Sequence, residues 1–261
     1  MSNIQALSSA EHGSKRWFKA TDFLFAARDR VVAIGFNEIP KAMMSLPLGF
    51  TKVGDTYTPV VIQGLLPNQN LLVSSRGQWL ADFVPVVYST MPFRLAKNTD
   101  GEYILCVDVE SRLITDGPAG YRLFDDERNL AAEASASAQA LIQFEKDRPR
   151  IAAASKLLAE CNVIEPWPIN LQQGEETIKA EGFHRINEAR LADVSGETLV
   201  ELRNTGGLML AYAQLFSMQH LQHLGQAAQR THWVNRMAEL TNKVAPLDIV
   251  DDNGILSFAN L

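Results

Sequence analysis

The feature that most constrains the fold is a change of pattern near residue 117. From Val31 to Val109 the chain consists of short β-branched and aromatic runs separated by glycine-containing turns, which is typical of antiparallel strands. After Asp116-Gly117-Pro118 the chain becomes rich in alanine, the residue with the highest intrinsic helix propensity. The sequence therefore predicts an α+β fold, with an N-terminal antiparallel β-meander packed on a mainly helical C-terminal half.

The first half is expected to form a series of strands joined by tight turns. The longest predicted strand carries Trp79 and Phe83 on one face and Tyr88 on the other, because side chains alternate along a strand. A short helix is expected from Asn37 to Met44. The predicted strands are Val31–Ile34, Leu48–Val53, Tyr57–Ile62, Leu71–Ser74, Gln78–Tyr88, Phe93–Ala96 and Glu102–Val109.

The second half is expected to be helical apart from two hairpins. Pro149 should break or kink the first helix, because proline lacks the backbone N–H group. The last helix is apolar nearly all the way round in its first half, which predicts a buried spine. The predicted helices are Arg128–Phe144, Ile151–Glu160, Asn187–Val194, Thr198–Arg203 after a Ser195 cap, and Leu208 to about Gln229; the hairpins are Trp167–Leu171 with Thr177–Ala180, and Ile249-Val250 with Ile255-Leu256.

Length and charge limit the domain organisation and the class of partner. The chain has 261 residues with neither a repeat nor a low-complexity linker, so we expect one composite domain over residues 1–261. Its parts are a β-rich segment, 1–117, and a mainly helical segment with a small hairpin, 118–261. The net charge of −6 argues against a nucleic-acid partner and a polybasic membrane face.

Cysteine content and hydropathy predict a cytoplasmic protein. Cys106 and Cys161 lie in apolar stretches without a paired-cysteine motif, which favours reduced, buried thiols. The segment from Trp17 to Leu24 contains two charged residues, so it lacks the apolar core of an export signal. The most apolar helical run has nine residues, 208–216, whereas a transmembrane helix needs about twenty. We therefore expect no transmembrane segment.

Six short strings occur in a distinctive order and spacing: Met91-Pro92-Phe93, Leu105-Cys106-Val107-Asp108, Leu123-Phe124-Asp125, Glu165-Pro166-Trp167, Gly182-Phe183-His184-Arg185-Ile186-Asn187-Glu188 and Tyr212-Ala213-Gln214-Leu215-Phe216-Ser217. Together they resemble the SapC family of bacterial proteins from about residue 17 to residue 224. The family is named for a surface-layer locus, and the resemblance implies neither a reaction nor a cofactor. Members tend to be encoded near flavin-dependent halogenase-like proteins, cupin-like oxygenases and TonB-dependent receptors, which implies an accessory role.

The histidines are the first candidates for chemistry. His220 and His223 are three residues apart on one predicted helix face, a spacing compatible with metal binding if His232 or a carboxylate completes the site. Glutamines surround both residues and no HExxH motif is present, so a solvated helix face is favoured and no metal site is predicted.

Five residues are candidate binding residues. His184 and Arg185 precede the Asn187 cap, where a loop would present a titratable imidazole and a planar cation suited to carboxylates. Pairing of Arg185 with Glu181 or Glu188 is the structural alternative. Trp167 lies between two prolines and belongs to the core or to a recognition groove, with burial favoured. The other two candidates are Tyr88 and Tyr212.

The sequence leaves two classes of function open. It lacks GxGxxG, GxxxxGK[ST], GxSxG and HExxH, so the first hypothesis is a non-catalytic binding or accessory protein that recognises a protein, peptide or small acidic ligand. The alternative is an enzyme or enzyme subunit that works with a halogenase- or oxygenase-type partner through His184, His220 or His223. A structural surface-layer component is disfavoured by the missing export signal. No cofactor is predicted, and the oligomeric state is left open.

Overall fold

A five-stranded antiparallel sheet forms the centre of the molecule, in the strand order β10 (Ile164–Pro166), β13 (Phe183–Ile186), β4 (Leu48–Val53), β5 (Thr56–Ile62) and β3 (Val31–Ala33). The structure is a computed structural model that describes residues 3–99, 101–173 and 176–230. Its antiparallel sheets and long helix confirm the predicted α+β class. Strands β10 and β13 come from the segment after residue 117, so both segments of the chain contribute to the central sheet.

The strands and the helices are each numbered in chain order. The strands are β1 Ile4–Ala6, β2 Arg16–Trp17, β3 Val31–Ala33, β4 Leu48–Val53, β5 Thr56–Ile62, β6 Phe93–Lys97, β7 Tyr103–Asp108, β8 Ile114–Thr115, β9 Tyr121–Arg122, β10 Ile164–Pro166, β11 Ile169–Gln173, β12 Glu176–Ala180 and β13 Phe183–Ile186. The helices are α1 Ser9–His12, α2 Ile39–Ala42, α3 Val86–Ser89, α4 Ala132–Glu160, α5 Glu188–Ala192, α6 Gly196–Thr205 and α7 Gly207–Ser217, followed by a helix over residues 221–230.

Hairpins and helix caps were predicted well because their sequences determine them locally. The β4–β5 hairpin turns at Gly54, whose φ of 58° suits a glycine. The β6–β7 and β11–β12 hairpins also pair as expected. Asn187 and Ser195 cap helices α5 and α6 by accepting hydrogen bonds from Arg190 N and Thr198 N. The predicted C-terminal hairpin lies outside the described residues.

The predicted strand Gln78–Tyr88 is wrong. This region makes one isolated bridge, between Val73 and Trp79, so the predicted strand Leu71–Ser74 is absent as well. The segment is not extended here, since the Trp79 indole Nε1 donates a hydrogen bond to the carbonyl of Phe83, four residues further on, at 2.8 Å. Pro85 then starts helix α3, which places Tyr88 on a helix and removes the predicted alternation of faces.

Helix α4 connects two hydrophobic cores. Near its N-terminus, Ala134 and Leu141 pack into a small core with Trp17 and other residues. After Pro149, Ile151 and the following buried residues pack into the main core against the central sheet. Of the two outcomes predicted at Pro149, a break is wrong, because the helix continues to Glu160. Packing on both sides of the proline offsets a penalty of about 3 kcal/mol.

Helix α7 is held on the sheet by buried hydrogen bonds. Gln214 is 1% exposed, accepts from Ile186 N at 2.8 Å and donates to the Leu48 carbonyl at 3.3 Å. Ser217 Oγ accepts from Leu48 N at 2.9 Å and donates to the Gln214 carbonyl at 2.7 Å. The predicted continuous helix from Leu208 is interrupted just beyond Ser217, where residues 218–220 form a 3₁₀ turn.

Both cysteines are free thiols in the structure. Cys106 is buried and Cys161 is half-buried, and neither forms a disulfide. Burial raises the pKa of both thiols. Over the part of the chain that the structure describes, no helix combines the length and the apolar character needed to cross a bilayer.

We expect Gln214→Leu to reduce the free energy of unfolding by about 2–4 kcal/mol, because it leaves Ile186 N and the Leu48 carbonyl buried and unpaired. Urea denaturation measures this loss. Gln219→Leu is the matched control, since Gln219 is exposed on the next turn, and it should change stability by less than about 0.5 kcal/mol. Equal effects of the two substitutions would contradict the role given to Gln214.

Candidate functional site

Arg185 belongs to an ordered polar cluster at the edge of the central sheet. Its Nε and Nη2 both lie 2.9 Å from Glu165 Oε1, and Asn187 Nδ2 donates to Glu165 Oε2 at 2.7 Å. The Asn187 hydrogen bond and then the Arg185 guanidinium hold the pKa of Glu165 below its ordinary value. Arg185 therefore pairs with Glu165, not with Glu181 or Glu188. It lies within strand β13, whereas the sequence placed it in a loop.

His184 lies in the same strand and is half-buried. Its ring packs edge-on against Tyr57, with 5.1 Å between the centroids. Nδ1 is buried and has no hydrogen-bond partner among the described residues. Burial, followed by the charge of Lys52, lowers the pKa of the imidazole. Both effects favour the neutral ring, so the charge change of His184 is displaced to lower pH.

Trp167 belongs to the main core. It is 7% exposed, and its backbone N–H donates to the Phe183 carbonyl at 2.8 Å. Burial was the favoured interpretation of this residue, and it is confirmed. Its flanking prolines leave it in the short connection between β10 and β11.

Tyr88 is the buried end of a polar chain that crosses the main core. Its hydroxyl donates to Asp29 Oδ2 at 2.8 Å and accepts from Gln63 Nε2 at 3.2 Å. Asn70 Nδ2 in turn donates to Gln63 Oε1 and to the Ala26 carbonyl. Gln63 and Asn70 are both buried. A buried polar chain with these partners is fixed in one geometry, because each broken link would leave a polar group unpaired.

Aromatic rings surround the Tyr88 end of this chain. Phe25 and Trp79 each lie 5.8 Å from the Tyr88 ring, both nearly edge-on. Phe23 contacts both Phe25 and Trp79, at 5.9 and 5.6 Å. Burial raises the pKa of the Tyr88 phenol, and it lowers the pKa of the neighbouring Arg94 guanidinium. The Tyr88 hydroxyl is thus a neutral group that orders its neighbours.

At Asn70 the polar chain reaches a surface cleft of about 970 Å³, here called the Asn70 cleft. Its walls come from the 3₁₀ turn at Leu24–Ala26, the loop over residues 66–71, the segment from residue 73 to residue 80, and the helix over residues 221–230. Leu24 and Leu80 are 50% and 60% exposed, although both are large and apolar. The cleft therefore combines apolar walls with one buried amide and several polar rim groups.

Tyr212 lies on the outer face of helix α7. Together with Met209 and Phe216 it forms an apolar row, here called the α7 stripe, whose exposures are 37% for Met209, 43% for Tyr212 and 60% for Phe216. The Tyr212 and Phe216 rings stack at 5.9 Å. The sequence placed all three in a buried spine, and this prediction is wrong because Gln214 and Ser217 turn the opposite face of the helix toward the sheet.

His220 and His223 remain neighbours without forming a metal site in the described residues. Their ring centroids are 6.1 Å apart, and His220 Nε2 lies 3.1 Å from the Met43 carbonyl. Residues 3–99, 101–173 and 176–230 contain no group of three or more His, Cys, Asp or Glu side chains that could hold a metal ion. His232, the proposed third ligand, lies outside the described residues.

Sequence reasoning missed Asp29, Gln63 and Asn70. None of them belongs to a family-like string, and they are separated by 34 and 7 positions along the chain. Only the pairing of β3 with β5 and the return of the loop after residue 65 bring them together. No motif in the sequence indicated them, since the exposure of Leu24 and Phe25 in the neighbouring turn is known only from the structure.

The fold and the site together define an α+β protein with an antiparallel central sheet, an internal polar chain and a cleft of ligand-like size. The chain belongs to the SapC family, whose model matches residues 7–224. The match includes the Asn70 loop, strand β13 and helix α7. Neither the curated proteins nor the solved structures include a significant match to the chain.

We expect Tyr88→Phe to lower the free energy of unfolding by about 1–3 kcal/mol, because the substitution leaves Asp29 and Gln63 without their shared partner. Urea denaturation at pH 7 measures the loss. Tyr103→Phe, which removes a hydroxyl from a half-buried residue of β7, should have a much smaller effect.

The same pair of variants should differ in alkaline solution. The buried Tyr88 phenol keeps its proton at a pH where the unfolded chain, with an ordinary tyrosine pKa of about 10, loses it. Its contribution to stability is therefore complete below pH 10 or so and is lost as the pH rises further. Tyr88→Phe should show a shallower alkaline decline than the wild type and Tyr103→Phe; three parallel curves would refute this assignment.

Proposed function

We propose that this SapC-family protein is a non-catalytic binding protein, and that its ligand is a small amphipathic anion held in the Asn70 cleft. The observation that carries the proposal is the pair of leucines, Leu24 and Leu80, exposed toward a cleft of about 970 Å³. Small-molecule sites usually have volumes of about 300–1,000 Å³, apolar walls and a few polar groups. The cleft meets this description at the upper end of the size range.

The preference for an anion comes from the charges of the lining. Arg230 carries the one formal charge among the described residues that line the cleft. Amide groups of Asn68 and Gln69, and hydroxyl groups of Ser74 and Ser75, also line it. A ligand with an apolar body and one carboxylate or sulfonate group matches this set, because the guanidinium offers several donors to an oxyanion.

Hydrogen bonds at Gln63, Gly64 and Asn70 fix the loop that lines the cleft in one conformation, without a ligand. Asn70 N donates to the Ala27 carbonyl, and the backbone N–H groups of Gln63 and Gly64 both donate to the Arg30 carbonyl. Asn70 Oδ1 also accepts from Leu72 N at 2.9 Å. A loop anchored at this many points loses little conformational entropy on binding, which favours affinity.

The alternative, an enzyme or enzyme subunit with a halogenase- or oxygenase-type partner, stays a prediction. It depends on His184, His220 and His223. His184 contacts Tyr57 in the sheet, whereas His220 contacts Met43 beside helix α7. These separate surroundings give the alternative no specific support.

The fluorescent anion 8-anilinonaphthalene-1-sulfonate tests the proposal, because it combines aromatic rings with one sulfonate. We expect saturable binding of one molecule per chain. Leu80→Asp should weaken this binding by roughly tenfold or more, since it removes apolar contact and adds a repelling charge. Arg230→Glu should weaken it as well, and both effects are read from fluorescence titrations.

Matched controls separate the cleft from other apolar surfaces. Val53→Asp makes a similar change at an exposed residue of the β4–β5 hairpin, and Lys146→Glu reverses an exposed charge on α4. Phe216→Asp tests whether the probe binds the α7 stripe instead. All three should bind the probe like the wild type. Full binding by Leu80→Asp, or loss of binding in Phe216→Asp alone, would overturn the proposal.

A further inference from the structure

The α7 stripe is an apolar surface that the described part of the chain leaves exposed. Buried residues on the opposite face of α7, including Leu210, Ala211 and Ala213, already pack in the main core. The stripe residues point away from that core. Phe216 is 60% exposed, compared with 42% for Phe25 and 40% for Phe18. Contiguous exposed apolar residues of this kind usually mark an interaction surface.

The charge pattern around the stripe is unusual for this protein. The net charge of the chain is −6, yet residues 207–230 contain no aspartate or glutamate. Helices α4 and α6, in contrast, carry exposed carboxylates, among them Glu160, Glu197 and Glu201. Two acidic molecules repel each other, so a helix without carboxylates of its own is a segment that a second copy can approach at low electrostatic cost.

The stripe is also complementary to itself. Tyr212 and Phe216 are one helical turn apart, so two antiparallel α7 helices related by a twofold axis near residue 214 place Tyr212 of each copy against Phe216 of the other. In the same register Met209 lies opposite Gln219 of the other copy. Met44, the residue after the Met43 whose carbonyl contacts His220, is also 70% exposed.

We propose that the α7 stripe is the contact surface of a homodimer in which two copies pack their α7 helices antiparallel about a twofold axis. Cyclic dimers require a surface that matches itself, and a row of two aromatic rings one turn apart meets that requirement. The proposal is independent of the Asn70 cleft. Because the surface is small, the dimer should be a reversible one with a dissociation constant on the order of micromolar.

Sedimentation of the full-length protein over a wide concentration range tests the dimer. We expect the wild type to shift from monomer to dimer as its concentration rises. Phe216→Asp should weaken the dimer by roughly tenfold or more, because each new carboxylate would be buried against the Tyr212 ring of the other copy. Val200→Asp, at an exposed residue of α6, should dimerise like the wild type. Circular dichroism checks that each variant is folded.

Disulfide cross-linking tests the antiparallel register. In a Cys161→Ser background, an oxidised mixture of Met209→Cys and Gln219→Cys proteins should give a cross-linked heterodimer faster than either protein gives a homodimer. A wild type that stays monomeric throughout, a dimer unaffected by Phe216→Asp, or equal cross-linking in all mixtures would each overturn the proposal. A monomer would mean that another segment or partner covers the stripe.

Discussion

The position of helix α7 depends on two polar side chains that replace missing backbone partners of the sheet. Gln214 and Ser217 satisfy buried groups of Leu48 and Ile186, which belong to the neighbouring strands β4 and β13. Hydrogen bonds of this kind have a narrow range of geometry, so they fix the rotation of the helix as well as its distance. The rotation in turn decides that the Tyr212 side of the helix is presented to solvent.

The interior has a second polar feature, and it connects the core with the surface. The hydrogen-bonded polar chain runs from Asp29 through Tyr88 and Gln63 to Asn70. It begins among aromatic rings and ends at the Asn70 cleft. A purely apolar core of the same volume would be no less stable, but it would leave the loop around Asn70 without its internal anchor. Four buried polar residues, Gln63, Asn70, Gln214 and Ser217, thus hold a surface loop and a surface helix in place.

Local patterns predicted most of the elements, and contacts distant in sequence decided the rest. Turn residues such as Gly54 and caps such as Asn187 act within a few positions, so their effects are readable from the chain. The segment around Trp79 is rich in strand-forming residues, but its indole bonds to the backbone nearby and Pro85 redirects it. The partner of Arg185, which is Glu165, depends on a strand register that composition does not specify.

Helix α4 makes the two cores of the molecule mutually dependent. One half of the helix contributes Leu141 to the small core and the other half contributes Ile151 to the main core, with Pro149 between them. Unfolding of one half of α4 would expose the apolar surface of the core against which that half packs. It would also leave the other half without the helical turn that continues it. The helix is thus shared by a core built around Trp17 and one built on the central sheet, so we expect the two cores to unfold cooperatively.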